Sequence, residues 1–217
     1  MMDAKELIAR RIAAELRDGD LVNLGIGIPT LVSNYIPAGV RIFFQSENGI
    51  IGMGPVPEKG MENRDLTNAG GQCITALPGS ATFDSAMSFS IIRGGHLDIT
   101  VLGGLQVDER GILANWMVPG KMVPGMGGAM DLVTGAKRVI VAMTHTSKGN
   151  PKIVRECSLP ITSNRPVDLI VTEIAVIQPT KAGLLLREKS REVTVEEIMK
   201  LTEARLIVSD SLKDILD

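Results

Sequence analysis

The residue best placed to meet a ligand is Glu47, within residues 41–54, which read RIFFQSENGIIGMG. The apolar run Ile42-Phe43-Phe44 predicts a short buried strand over residues 41–45, since a run this short bounded by turn formers suits a strand better than a helix. Ser46-Glu47-Asn48-Gly49 is then a turn, with Asn and Gly tolerating positive φ just after the acid. Ile50, Ile51, Gly52, Met53 and Gly54 return to apolar sequence, so the carboxylate is expected to lie walled between Phe43/Phe44 and Ile50/Ile51. The carboxyl end of a buried strand is where open α/β sheets bind ligands. The competing reading is an ordinary solvated surface charge.

Residues 117–132, MVPGKMVPGMGGAMDL, are the second stretch with chemical potential. Closely spaced glycines leave backbone N–H groups free to point at a ligand oxygen, which is what an oxyanion site requires. A plain surface loop with a tight turn is the alternative. Lys121 reads as solvated. Met117, Met122, Met126, Met130 and Met143 would line an acyl slot, face a partner or fill core, and core is the simplest of the three. Gly25-Ile26-Gly27, after a strand and before a helix, raises a phosphate cradle. Pro29 interrupts the fingerprint and no third glycine follows, so a tight turn beside a site fits better. His145, after a strand, is a candidate general base, but with no acid near it in sequence an ordinary strand-end histidine is the plainer reading; His96, after Gly94-Gly95, is a weaker candidate.

These residues need a scaffold, and the pattern supplies one. Asp3 caps a first helix with Glu6 as reciprocal partner, and Ile8, Ile12 and Leu16 give it an apolar face. Strands are expected over 21–24, 73–77 (closed by Pro78-Gly79), 97–102 and 137–143, within 167–177, and over 206–208. Helices are expected over 30–35 and 84–92, the latter ended by Gly94-Gly95, and one capped by Thr194 with Glu197. A hairpin is expected around residues 108–111, and residues 55–68 are loop. Strands alternating with helices predict an α/β domain, residues 1–217 as one unit. Its sheet is mostly parallel, with small antiparallel portions near 105–116 and 167–187.

Composition excludes several classes. Net charge is −2, aromatic residues are 3% of the chain, and no basic stripe is present, which argues against nucleic acid. The two cysteines, Cys73 and Cys157, are far apart with no C-x-x-C, which argues against a disulfide framework or a structural zinc and fits a reducing compartment. The N-terminus is charged and amphipathic, and no run is long enough to span a bilayer, so neither leader nor anchor is expected and the chain reads as cytoplasmic. Glycine is abundant, 23 of 217 residues, and is clustered between apolar runs as loops at sheet ends would be.

Taken together, SENG followed by G-x-G, IRGGH at residues 92–96, LANWMVPGKM at 113–122 and GMGGAMDL at 125–132 resemble family I CoA-transferases. The resemblance is strongest to the β subunits of bacterial enzymes acting on acetate, butyrate and acetoacetate, and to the carboxyl half of the mitochondrial succinyl-CoA:3-oxoacid enzyme. It runs from the first helix to about residue 210. It implies a three-layer α/β/α fold of the CoA-transferase type and Glu47 as a covalent nucleophile forming a glutamyl-CoA thioester. Gly128 would be a backbone oxyanion donor, and Asn48, Gly25, Gly27 and Gly127 candidate substrate or CoA contacts. It further implies no metal and no dissociable cofactor, coenzyme A being substrate, and an α subunit completing the site in an αβ pair that is usually doubled. An acyl-CoA thioester hydrolase on the same scaffold, or a sugar-phosphate isomerase-like or regulatory α/β protein, are the rival readings.

Overall fold

The computed structural model describes residues 3–120 and 126–216; Lys121 and Met122 fall outside them. In chain order the elements are α1 (Ala4–Ala13), β1 (Leu21–Leu24), a 3-10 helix (Ile28–Tyr35), β2 (Phe43–Ser46), β3 (Ile50–Met53), β4 (Ala76–Thr82), α2 (Ser85–Arg93), β5 (Ile99–Gly103), β6 (Gln106–Val107), β7 (Leu113–Ala114), α3 (Ala129–Gly135), β8 (Arg138–Ala142), β9 (Thr146–Ser147), β10 (Asn150–Pro151), β11 (Leu169–Val171), β12 (Ala175–Thr180), β13 (Gly183–Lys189), α4 (Val195–Lys200) and β14 (Leu206–Asp214). Ten strands form one sheet in the order β14-β13-β12-β11-β8-β5-β1-β2-β3-β4. Its centre, from β11 through β8, β5 and β1 to β2, is parallel.

Alternation along the central strands builds a core on each face. Val139, Val141 and Ile170 turn toward α2, α3 and α4, while Ile140, Ala142, Leu169 and Val171 turn toward α1 and the 3-10 helix. The outcome is helices on both sides of a sheet, the expected three layers.

Several local expectations need correcting. Asp3 does cap α1, accepting from the Lys5 N–H, but Glu6 pairs with Arg10 one turn on instead of closing a box. The short helix begins earlier, at Ile28, and is 3-10, with Pro29 in its first turn where a missing N–H costs nothing. The antiparallel segment near 167–187 is present as β11-β12-β13, whereas 105–116 forms a separate two-stranded hairpin, β6-β7. A further antiparallel segment, β2-β3-β4, was not expected. Its glycines read as loop, yet they are what allows strands to approach: a Cβ on Gly52 would lie 2.8 Å from Ser80 Cβ, and one on Gly54 2.4 Å from Thr75 Oγ1. The strand expected at 73–77 is instead Ala76–Thr82, running through Pro78-Gly79. It is one of the sheet's two edge strands, where proline is tolerated. The final strand extends to Asp214. Asp84 and the Thr194–Glu197 box cap α2 and α4 as expected.

The two ends of the chain are tied by a buried ion cluster. Arg11 on α1 makes a two-pronged contact with Glu188 on β13, Nε to Oε2 and Nη2 to Oε1, both 2.6 Å. Its other nitrogen meets Glu15 at 2.7 Å, and Glu15 also receives Arg138 at 2.5 Å. Burial alone would lower the Arg11 pKa, but its hydrogen bonds to the carboxylates of Glu188 and Glu15 outweigh it and the pKa is raised. Burial would likewise raise that of Glu15, and Arg138 and Arg11 bring it below the ordinary carboxylate range.

Candidate active site

Glu47 heads a three-residue hairpin loop between β2 and β3. The Gly49 N–H donates to Ser46 O at 3.0 Å and closes the turn, with Gly49 at φ +123°. Glycine is obligatory there on two counts: the φ, and a Cβ that would fall 2.0 Å from Phe83 O. Asn48 is exposed, and its Nδ2 donates to Thr67 O at 2.7 Å. The Ala69 N–H donates to Ser46 Oγ at 2.9 Å, so the loop after β3 braces the turn twice.

The wall around Glu47 is the expected one only on one side: Ile50 is buried and Ile51 half-buried, but the Phe43/Phe44 side differs. Phe43 is 40% exposed with Arg41 stacked over its ring, and Phe44 packs toward α1. Strand alternation explains this: Gln45 points to the face opposite Phe44. On that side the buried residues are Gln45, Ser46 and Asn23, all polar. Asn23 Nδ2 donates to Glu47 Oε2 at 3.2 Å. Asn23 was not singled out from sequence, although a lone amide within the apolar strand LVNL was a signal.

Gly128 is brought directly to Glu47. A Cβ on Gly128 would lie 3.2 Å from Glu47 Cγ and 3.4 Å from Oε1. Gly128 has an ordinary φ of −82°, so closeness, not backbone conformation, calls for glycine. Gly128→Ala should therefore fold normally yet displace the Glu47 carboxylate; a crystal structure of the variant with Glu47 unmoved would contradict this. Gly127 is exposed with φ +55° and open space around its Cα, so its requirement is conformational. Arg165 secures α3 from the far end, donating to the carbonyls of Val133, Ala136 and Lys137 and to Asp168. Gly25 donates to Val101 O at 2.8 Å, fixing the loop after β1. Gly27 has φ +93° and faces open space. Between them Ile26 is 75% exposed, and it approaches the Gly70 loop: a Cβ on Gly70 would lie 3.4 Å from Ile26 Cγ1.

Two surface hollows adjoin α2. One, about 330 Å³, is lined by Arg93, Met130, Asp131, Thr134 and Gly135. The other, about 620 Å³, is lined by Phe83, Asp84, Ala86, Met87 and Ser90. Neither includes Glu47. Met143 is core and Met130 is 49% exposed, so the methionine group does not act as one unit among the described residues. Also among the described residues, no group of three or more His, Cys, Asp or Glu could hold a metal ion, and no helix is long and apolar enough to cross a membrane.

His145 is removed from this chemistry by its surroundings. It is 1% exposed, with Nδ1 3.0 Å from Thr172 Oγ1 and Nε2 2.9 Å from Thr202 Oγ1. Burial, aided by the charge of Lys152, lowers its pKa to about 4. A group depressed from its unfolded value of 6.5 binds fewer protons folded than unfolded between those limits. Its contribution is therefore complete above pH 6.5 and is lost as pH falls toward 4. Between pH 7.5 and 5 that loss amounts to about 2 kcal/mol. Denaturant titrations should show it in the wild type and not in His145→Gln; identical pH dependence in both would contradict it.

Similarity to known proteins runs through most of the chain. A model of the coenzyme A transferase family matches residues 5–201. The chain is 57% identical to an Escherichia coli protein named as the beta subunit of acetate CoA-transferase, covering 97% of each chain. It is 50% identical to a human protein named succinyl-CoA:3-ketoacid coenzyme A transferase 2, mitochondrial, over 97% of this chain and 41% of that longer one. Among solved structures it is similar to the apoenzyme of an acyl-CoA transferase, YdiF, from Escherichia coli, with TM-score 0.77 and 25% identity. There the match covers 98% of this chain and 43% of the longer one.

Proposed function

The chain belongs to the coenzyme A transferase family, and from that premise we propose that it is the β subunit of a two-subunit enzyme moving CoA between an acyl-CoA and a short-chain carboxylic or 3-oxo acid, with Glu47 as covalent nucleophile. The observation that carries this is the setting of Glu47: Oε2 accepts from Asn23, while Oε1 faces Gly128. One oxygen is held and the other lies close against the Gly128 backbone, an arrangement suited to acyl transfer.

The chemistry follows from the carboxylate. Glu47 attacks the thioester carbonyl; the C–S bond breaks, giving a mixed acyl-glutamyl anhydride and a CoA thiolate. The thiolate attacks the glutamyl carbonyl, expelling the first acid as its carboxylate and leaving a glutamyl-CoA thioester. A second carboxylate attacks that thioester, and the thiolate returns to the new acyl carbonyl, regenerating Glu47. Each addition passes through an oxyanion, and one backbone N–H donor to it, the role assigned to Gly128, would contribute about 3–4 kcal/mol to its stabilisation. Neither a metal nor a dissociable cofactor takes part in these steps.

Glu47 is only half-buried in this chain, and neither hollow beside α2 contains it. Anhydride and thioester must be shielded from water. An α subunit closing over the turn supplies that shield and the remaining CoA contacts. A cytoplasmic setting is supported by two free cysteines. To test the assignment, the chain is co-expressed with its partner and supplied with acetoacetyl-CoA and varied acetate. Parallel double-reciprocal lines and acetate-dependent formation of acetyl-CoA are expected. Release of free CoA at a rate indifferent to acetate would instead establish a hydrolase.

A further inference from the structure

Beneath Glu47 lies a row of polar side chains that the reaction scheme does not use. Asn23 is register-paired with Gln45 on β2 and with Thr100 on β5. Paired residues of parallel strands project to the same face. Here it is the α2 face, since Val22, Ile99 and Val101 pack on the other. Ser88 of α2 comes down onto the row. Asn23 Nδ2 donates to Gln45 Oε1 at 2.8 Å, and Gln45 Nε2 donates to Ser88 Oγ at 3.0 Å. All four residues are at most 1% exposed. Four polar groups in a core weigh against folding unless paired, and apolar residues would fill these positions at lower cost.

The direction of the bonds supplies a reason. An ionised Glu47 only accepts, so Asn23 must present its NH₂ to it. Gln45 must then turn its carbonyl to Asn23 and its NH₂ to Ser88. Among the described residues, the two buried side-chain polar atoms without a partner are Asn23 Oδ1 and Thr100 Oγ1. They sit on register-paired residues but do not bond each other, so Thr100 stands outside the hydrogen-bonded row.

We propose that Ser88 and Gln45 are positioning residues that act through Asn23 to hold Glu47 Oε2, leaving Oε1, beside Gly128, as the attacking oxygen. This rests on Glu47 being the nucleophile. An anchored carboxylate cannot turn about its last torsion, so the free oxygen stays in line with the incoming carbonyl. Anchoring bears on the chemical step and not on the grip on CoA. The row therefore shows in kcat and leaves KM alone.

The test uses the complex with its partner subunit, acetoacetyl-CoA and acetate. Gln45→Leu should lower kcat on the order of 100-fold and Ser88→Ala about 10-fold, with KM for acetoacetyl-CoA held within about twofold. The double variant Gln45→Leu/Ser88→Ala should be no slower than Gln45→Leu, because Ser88 acts only through Gln45. If Gln45→Leu does not assemble, Ser88→Ala carries the test, since it deletes one hydroxyl at a helix position that suits alanine. Wild-type kcat in assembled variants, losses confined to KM, or losses that multiply would each overturn the row. Glu47→Gln is assayed in parallel. Its inactivity beside unaffected row variants overturns the row alone, whereas its full activity overturns the nucleophile assignment itself.

Discussion

Glu47→Gln is expected to abolish CoA transfer, with a loss of at least about 10⁴-fold, the scale seen when a covalent nucleophile is removed. The amide is nearly isosteric, and Asn23 retains an acceptor at the Glu47 position, so folding and assembly should be unchanged. A neutral amide oxygen cannot form the anhydride, so no exchange by the ping-pong route survives. Rates, thermal midpoint and size-exclusion profile of the co-expressed complex check this together. Transfer within about tenfold of wild type in a normally assembled variant would remove Glu47 from the mechanism.

The second large effect is on stability. Arg11→Ala leaves Glu188 and much of Glu15 buried without their shared cation. Removing one member of a buried pair typically costs about 3–5 kcal/mol, because the stranded charge remains desolvated. Arg138 keeps its contact with Glu15, so the stranded charge is chiefly that of Glu188. Accordingly Arg11→Leu combined with Glu188→Leu should recover most of the loss, since apolar side chains of similar volume can replace such a pair. Urea titration of the single and double variants measures both. A single variant within about 0.5 kcal/mol of wild type would show that α1 is held by its apolar face alone.

Much of this was legible in the residues. The SENG turn could be read because glycine and asparagine after an acid leave few backbone options. Gly49 carries the reading, with its positive φ and the carbonyl of Phe83 behind it. The helix caps at Asp84 and Thr194 were visible because capping is local. What escaped is non-local. Asn23, Gln45 and Ser88 are separated by 22 and 43 residues, and only strand register and one helix face bring them together. Phe43 misled because a triple apolar run suggests burial on both faces, whereas β2 lies toward one end of the sheet with Phe43 stacked under Arg41. Gly52 and Gly54 misled for the opposite reason: in a flat reading they break strands, and here they let β4 approach. His145 was a candidate base beside the plainer reading of a strand-end histidine, and its burial between two threonines fits the plainer one. The strongest sequence signals were those of the turn that carries the acid; the groups that orient the acid are set by tertiary structure.

The most direct measurement of the central claim is peptide mass spectrometry on the complex mixed with acetoacetyl-CoA and no acceptor acid, then trapped with borohydride or hydroxylamine. Covalent catalysis by Glu47 predicts that the peptide containing it is modified, only when acyl-CoA is present, and that adding acetate before the trap restores the unmodified peptide. Consumption of the thioester with the Glu47 peptide unmodified throughout would contradict it.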